Sequence, residues 1–193
     1  MNILIVGLPH SGTTLLRRML GSHPQIVEHC KESLPFDRYK SNSLHLYKLP
    51  IDSDDLLSRV FTCSNAHRII HIQRNYDDLI SSMQRRFPNV PFSQSQADHK
   101  VFLRDNLRKL AHITINYEDL VENPRDVLTS ICCCIGIRFH ERMLFFHLNP
   151  CNITNSGNRI QIPERRPDDI NHELLRLWQI NQPLSSRKSI SIL

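Results

Sequence analysis

The stretch NILIVGLPHSGTTLLRRML, residues 2–20, decides the fold. Its apolar run ILIV reads as a buried β-strand, while the apolar residues of LLRRML recur at helical spacing. Between the two lie Gly7 and Gly12, spaced as in the phosphate-binding P-loop motif G-x-x-x-x-G-K-[ST]. A strand, a glycine-rich loop and a helix in this order predict an α/β fold of the P-loop type.

The loop departs from the motif where the lysine would stand, because Thr13 and Thr14 follow Gly12. The backbone N–H groups of such a loop and the N-terminus of the next helix hold a phosphate without that lysine. The hydroxyls of Ser11, Thr13 and Thr14 add donors. None of the later strand-like runs ends in an aspartate that would hold Mg²⁺. The loop therefore suits one phosphate and no metal, and a capped turn without a ligand is the alternative.

The rest of the chain alternates between strand-like and helix-like segments, which predicts a parallel sheet with crossover helices. Strands are predicted over 43–49, 67–74 and 111–116, and helices over 52–61, 75–86, 124–137 and 167–179. Polar stretches over 87–99 and 150–167 are predicted to be loops. We expect a single domain over 1–184, followed by a flexible tail over 185–193.

Composition narrows the class of protein. The net charge of +5 without a basic tract favours a small anionic ligand or an acidic substrate over nucleic acid. No apolar run approaches the roughly 18–20 residues of a membrane span. The N-terminus lacks the basic region and cleavage site of a signal peptide, and six cysteines without C-x-x-C spacing indicate free thiols. These features predict a cytoplasmic protein, with removal of a leader upstream of the given sequence as the alternative.

A second candidate anion site lies further along the chain. Arg74 stands at the end of a predicted strand, and Ser82 follows about two turns into the next predicted helix. An arginine fork and a serine hydroxyl can hold one anion together. Each residue alone would be an ordinary surface side chain.

The two segments GLPHSGTT, 7–14, and RNYDDLISS, 74–82, together resemble the sulfotransferase family, most closely its tyrosylprotein-sulfotransferase branch and bacterial relatives. The family carries P-x-S-G-T-[TS] and then R-x-x-x-D-x-x-x-S, here filled by Arg74, Asp78 and Ser82. The resemblance implies 3′-phosphoadenosine-5′-phosphosulfate (PAPS) as the cofactor and 3′,5′-ADP (PAP) as its product. It also implies transfer of a sulfuryl group to an acceptor hydroxyl or amine, and the sequence does not name that acceptor.

The resemblance also assigns residues to the cofactor. The first loop would hold the 5′-phosphosulfate, Arg74 and Ser82 the 3′-phosphate, and Tyr117 the adenosine side. Arg159 in the late basic loop would close on the 3′-phosphate. The loop residues assigned in this way are Pro9, His10, Ser11, Gly12, Thr13 and Thr14.

Three residues are implied in catalysis. His10 stands where the family usually has Lys or Arg, so it would add positive charge only when protonated. Lys48 in HLYKLP matches the strand lysine near the transferred group. Both Glu32 and Glu28 qualify as the base, and Glu32 is preferred because Ser33 follows it. A strand histidine, the base of the cytosolic branch, is excluded because its position holds Pro50.

Two other functions remain open at the level of sequence. A P-loop kinase of nucleosides or other small molecules shares the fold and the glycine-rich loop, but Thr13 and the missing metal aspartate count against it. A catalytically inactive module that binds PAPS or PAP is the other alternative, because His10 is unusual for the family.

Overall fold

The computed structural model describes residues 1–32, 34, 43–89 and 93–146. Within them lie most of the predicted elements. The predicted helix over 167–179, the loop over 150–167, the tail over 185–193 and Arg159 lie outside the described residues.

Five strands form one parallel sheet, as the alternation of elements predicts. Their order across the sheet is β2-β3-β1-β4-β5, so β1 lies at the centre, paired with β3 on one side and β4 on the other. All six residues of β1 are buried, which explains its unbroken apolar run. The strands are β1 Asn2–Gly7, β2 Ile26–Glu32, β3 Leu44–Pro50, β4 His67–Gln73 and β5 Ile113–Asn116.

Six α-helices accompany the sheet in the described part of the chain, with two short 3-10 helices at Ser64–Ala66 and Glu141–Met143. Their starts follow local chemistry. Ser53 caps α2, Asn75 caps α3 by accepting from two backbone N–H groups, and Pro124 opens α6. The helices are α1 Thr13–Gly21, α2 Asp54–Cys63, α3 Tyr76–Arg86, α4 Gln94–Leu110, α5 Tyr117–Glu122 and α6 Pro124–Ile135. Among the described residues, none of these helices is long and apolar enough to cross a membrane.

The helix α4 corrects the prediction of a loop over 87–99, because residues 94–99 form its first turns. Ser93 and Gln96 make a reciprocal capping box, with the Gln96 backbone N–H 3.3 Å from Ser93 Oγ and the Ser93 N–H 3.0 Å from Gln96 Oε1. Leu103 and Leu107 are the buried residues of this helix. The N-terminal half of α4 is therefore stabilised by its cap rather than by an apolar face. It has no apolar periodicity from which a helix could be predicted.

The strand β2 is a further element that the sequence prediction lacks. It lies at the edge of the sheet and pairs with β3, with Ile26 opposite Leu44 and Glu32 opposite Lys48. The register shifts between Glu28 and Glu32, which marks a β-bulge or similar irregularity. Charged and imidazole side chains in the strand mask the apolar alternation that would have predicted it.

The sheet carries a hydrophobic layer on each face. One layer contains side chains of α1, α5 and α6, including Leu16, Leu120 and Ile131, and the other contains Val60, Leu79 and Leu103 of α2, α3 and α4. Burial of Cys132 in the first layer raises the pKa of its thiol to about 11, so this cysteine packs as a small apolar side chain.

A buried histidine on β4 makes the stability of the fold depend on pH. His71 is fully buried, and its burial, followed by the positive charges of Arg104 and Arg108, lowers its pKa to about 4. Between about pH 6.5 and 4 the unfolded chain therefore binds a proton at His71 that the folded chain does not. Acidification through this window should favour unfolding, and stability should be regained above it.

We expect His71 alone to remove about 2–3 kcal/mol of the free energy of unfolding between pH 7.5 and pH 4.5. Urea unfolding of wild type and His71→Gln at the two pH values measures this, because the glutamine variant lacks the titrating ring. Other histidines with a lowered pKa contribute equally to both proteins: His23, His29, His45 and His112. Identical pH dependence in the two proteins would contradict the assignment.

Candidate active site at the carboxyl edge of the sheet

The phosphate loop joins the end of β1 to the start of α1, and two glycines give it its shape. Gly12 has a left-handed backbone with φ 100°, and a Cβ there would overlap the ring of Tyr117 at the start of α5. A Cβ at Gly7 would lie 2.5 Å from the carbonyl oxygen of Ile72 on β4. The glycine spacing seen in the sequence is therefore required by close approaches to β4 and α5.

His10 lies between the two predicted anion sites. Its φ of 69° is left-handed, a conformation that costs a residue with a Cβ about 1 kcal/mol or more. Its carbonyl oxygen accepts a hydrogen bond from Arg74 Nη1 at 3.3 Å, and its Nδ1 lies 3.2 Å from Ser82 Oγ. The loop is thus held to β4 and α3 through one residue.

The structure brings Arg74, Ser82 and Tyr117 together around His10, as the sequence predicts. The guanidinium carbon of Arg74 lies 4.4 Å from the centroid of the Tyr117 ring, a cation–π contact. Tyr117 is buried, and its ring also borders Gly12. The residues of the predicted second anion site therefore adjoin the phosphate loop.

Lys48 occupies the other side of the loop. Its Nζ donates to Thr14 Oγ1 at 3.0 Å and to Glu32 Oε1 at 2.6 Å. The Lys48 side chain is buried, whereas 57% of the Glu32 side chain is exposed. A buried cation therefore lies against the loop, next to a carboxylate that is accessible from solvent.

Glu28 has a different environment from Glu32. It is fully buried, and its Oε1 lies 2.8 Å from Arg17 Nε on α1. A Cβ at Gly21 would lie 2.5 Å from Glu28 Oε2, so the carboxylate is packed tightly against α1. Of the two candidate bases, Glu28 forms an interior ion pair and Glu32 lies in the site.

Ser11 lies on the inner side of the loop, and the role of its hydroxyl as a phosphate donor stays a prediction. Its side chain is buried, and its Oγ would lie 2.5 Å from a Cβ at Gly7. Its N–H donates to Leu8 O at 3.1 Å within the loop. Thr13 is buried as well, while Thr14 is exposed and Pro9 is half-buried. Of the three loop hydroxyls, that of Thr14 is the accessible one.

Comparison with known proteins gives one family match and several similar folds. The model of the sulfotransferase family matches residues 2–67. Three solved structures are similar in fold: mouse sulfotransferase SULT7A1 complexed with PAP, the sulfotransferase domain from the curacin biosynthetic pathway, and the sulfotransferase domain from the Synechococcus PCC 7002 olefin synthase. No curated protein matches the chain.

The measures of similarity differ among the three structures. The mouse enzyme has a TM-score of 0.52 at 20% identity, over 75% of this chain and 62% of its own. The curacin domain has a TM-score of 0.60 at 16% identity, and the similarity covers 97% of this chain and 93% of that domain. The Synechococcus domain has a TM-score of 0.56 at 19% identity, and the similarity covers 100% of this chain and 89% of that domain. The chain thus spans 62% of the length of the mouse enzyme. It has the sulfotransferase fold, and the predicted α/β class is confirmed. The match over residues 2–67 supports the predicted resemblance to the sulfotransferase family, whereas the tyrosylprotein-sulfotransferase branch stays a prediction.

Proposed function

We propose that the protein transfers a sulfuryl group from PAPS to an acceptor hydroxyl or amine. One observation carries the proposal: Lys48 Nζ lies 3.0 Å from the loop hydroxyl of Thr14 and 2.6 Å from the Glu32 carboxylate. A cation and an accessible carboxylate therefore meet where a sulfuryl group bound to the phosphate loop would react. The sulfotransferase fold and the family match over residues 2–67 support this reading.

The residues present fit a cofactor with two anionic ends. The loop and the N-terminus of α1 offer N–H groups to the 5′ end. Arg74 and Ser82 lie across the loop and would hold the 3′-phosphate by a charge-assisted contact and a hydroxyl. Tyr117, already stacked under Arg74, would border the adenosine. His10 belongs to the loop itself and contacts both Arg74 and Ser82 of the 3′-phosphate end.

The chemistry needs a leaving-group cation and a proton acceptor. PAPS supplies the sulfuryl group, whose sulfur–oxygen bond to the 5′-phosphate breaks as the acceptor oxygen or nitrogen binds to sulfur. Lys48 would stabilise the negative charge that develops at the loop, which is the larger part of the catalytic need. Glu32 would take the proton of the acceptor, because it is exposed beside Lys48.

Thermal-shift measurements test this function against a kinase. A sulfotransferase should be stabilised by 3′,5′-ADP in the presence of EDTA. The loop lacks the lysine that binds ATP, and the later strand-like runs lack the aspartate that holds magnesium. Stabilisation by ATP only with Mg²⁺ would favour the kinase instead. A turnover screen with PAPS across phenols, peptides, sugars and amines then separates an enzyme from an inactive binding module.

We further propose a cytoplasmic location. The described cysteines Cys63, Cys132, Cys133 and Cys134 are free thiols, as expected in a reducing compartment. Fractionation of cells that express the full-length protein, with thiol alkylation before lysis, tests this proposal. Recovery of oxidised cysteines from a secretory fraction would contradict it.

We expect Arg74→Ala to weaken binding of 3′,5′-ADP by roughly 10- to 100-fold while changing binding of adenosine 5′-phosphate far less. A charge-assisted contact to the 3′-phosphate is worth about 1.5–3 kcal/mol, and adenosine 5′-phosphate lacks that group. Calorimetry with the two ligands measures the difference. Arg74→Lys serves as the control, since it keeps the charge and loses the fork. Equal losses for both ligands would refute the assignment of the 3′-phosphate site.

A further inference from the structure

Four buried side-chain polar atoms belong to residues that line one small cavity beside the phosphate loop. They are Ser11 Oγ, His71 Nε2, Arg74 Nε and Tyr76 Oη, and their residues all line the cavity. Each atom is buried, and none has a hydrogen-bond partner among the described residues. Buried polar groups are almost always hydrogen-bonded, so four such groups around one cavity indicate a ligand.

The size of the cavity restricts that ligand. It offers about 10 Å³ to the centre of a water-sized sphere. One water molecule needs roughly 10–15 Å³ of such space and two to four polar partners. Phosphate, sulfate and any organic group are too large. The apolar side chains of Leu8, Ile72 and Leu79 form part of the wall.

We propose that this cavity is a binding site for one internal water molecule, which joins the phosphate loop to β4 and to the start of α3. A water molecule accepts two hydrogen bonds and donates two. The Nε–H of Arg74 is always a donor. His71 Nδ1 lies 3.5 Å from Thr114 Oγ1, and if that hydroxyl donates to Nδ1, the Nε2–H of His71 is the second donor. The two hydrogens of the water then go to Ser11 Oγ and Tyr76 Oη.

The ionisation states of the neighbours suit this arrangement. His71 is neutral at physiological pH because its burial and the charges of Arg104 and Arg108 lower its pKa to about 4. The pKa of Tyr76 is raised, mainly by burial and the nearby Asp98, so its hydroxyl keeps its proton. Both groups are therefore uncharged and can hydrogen-bond to the water as neutral groups.

The position of the water gives His71 a role in cofactor binding, an inference that rests on the proposed function. His71 lies on β4 beneath the site and would act through the water on Arg74 and Ser11. It is therefore a positioning residue. Without the water, Arg74 Nε would lack a buried partner and its guanidinium would turn away from the anion site to find one.

A crystal structure of the full chain at about 1.5 Å resolution tests the water itself. We expect one solvent peak within hydrogen-bond distance of all four atoms in the wild-type protein. Direct hydrogen bonds among the four groups, or an empty cavity, would overturn the proposal. This test does not depend on the enzyme's activity, so the proposed function can fail while the water site stands.

Calorimetry with 3′,5′-ADP tests the consequence. His71→Phe removes the partner of the water and should weaken binding at least fivefold, whereas His71→Gln keeps an amide near the position of Nε2 and should restore it to within about twofold. His23→Phe is the matched control, because His23 is also buried and bonded, to Arg138 O at 2.9 Å, but does not line the cavity. Equal affinity for His71→Phe and wild type would overturn the positioning role.

Ser11→Ala provides a second route if His71→Phe does not fold. It removes one acceptor of the water without adding volume, and its crystal structure should show the water with three partners or none. An unchanged water position together with unchanged 3′,5′-ADP affinity would mean that the water does not join the loop to Arg74.

Discussion

Replacement of Glu32 with Gln should lower kcat by 10²- to 10⁴-fold for an acceptor whose hydroxyl is protonated at neutral pH. A positioned base contributes this much when it takes the proton in the transition state. Glu32 is suited to the role because its side chain is 57% exposed beside a buried lysine, at the end of an edge strand. Affinity for 3′,5′-ADP should change little. Initial rates with PAPS and an alkyl alcohol or a weakly acidic phenol measure the effect.

The acidity of the acceptor separates a base from a residue that only orients Lys48. With a strongly acidic phenol such as 4-nitrophenol, much of the acceptor is already ionised near neutral pH, so Glu32→Gln should lose far less activity. Glu122→Gln removes an exposed carboxylate on α5 and controls for the change of charge. An equal loss of activity for acidic and weakly acidic phenols would show that Glu32 is not the base.

Glu28→Gln should behave differently from Glu32→Gln. It removes the buried carboxylate that pairs with Arg17, and breaking an ion pair of this kind costs about 3–5 kcal/mol of folding stability. The variant should therefore melt at a lower temperature, while the folded fraction keeps its turnover. A normal melting temperature with lost turnover would exchange the roles of the two glutamates.

The second large effect is expected at Lys48. Lys48→Met should lower kcat by 10²- to 10³-fold, the loss typical of removing one preorganised donor to developing charge. Cofactor affinity should change less, because the charge at the leaving oxygen develops mainly in the transition state. Loss of the ion pair with Glu32 should lower the folding stability only a little, since the Glu32 carboxylate is accessible to water. Single-turnover rates at saturating PAPS isolate the chemical step.

His10→Ala is the comparison for Lys48→Met. The imidazole of His10 lies 3.2 Å from Ser82 Oγ, whereas Lys48 Nζ bonds the loop at Thr14, so Lys48 is the better-placed cation for the loop. We expect the alanine variant at position 10 to lose less kcat than Lys48→Met and to weaken 3′,5′-ADP binding. A larger loss of kcat for His10→Ala would make His10 the leaving-group residue.

The order of strands and helices was predictable because the apolar pattern that indicates most core elements lies within a single segment of sequence. The run ILIV and the helical spacing of LLRRML are signals within one segment, and they place β1, the loop and α1 correctly. The strand β2 was not predictable in this way, since its polar residues Glu28 and His29 pair with residues of other elements, Arg17 on α1 and His45 on β3. For α4 a signal existed, because Ser93 and Gln96 have capping-box spacing ahead of a polar segment.

The site was predictable to a similar extent. The motifs predicted that Arg74, Ser82 and the loop lie close together, because the carboxyl ends of parallel strands share one edge of the sheet. The structure places them in contact through His10. The direction of individual side chains was not predictable. Ser11 turns inward and Glu28 is buried, since both depend on how closely β4 and α1 approach. Nothing in the sequence distinguishes an inward serine from an outward one in such a loop.

The central position of β1 has a consequence for how the protein is made. The strand is complete at Gly7, but its two neighbours in the sheet end at Pro50 and Gln73, further along the chain. At translation rates of about 5–20 residues per second, roughly 3–13 s pass between synthesis of β1 and of the end of β4. During that interval at least one hydrogen-bonding edge of this apolar strand lacks its native partner. The nascent chain is therefore prone to aggregation at β1 until β4 has been made, and a chaperone at the ribosome would protect it best in that interval.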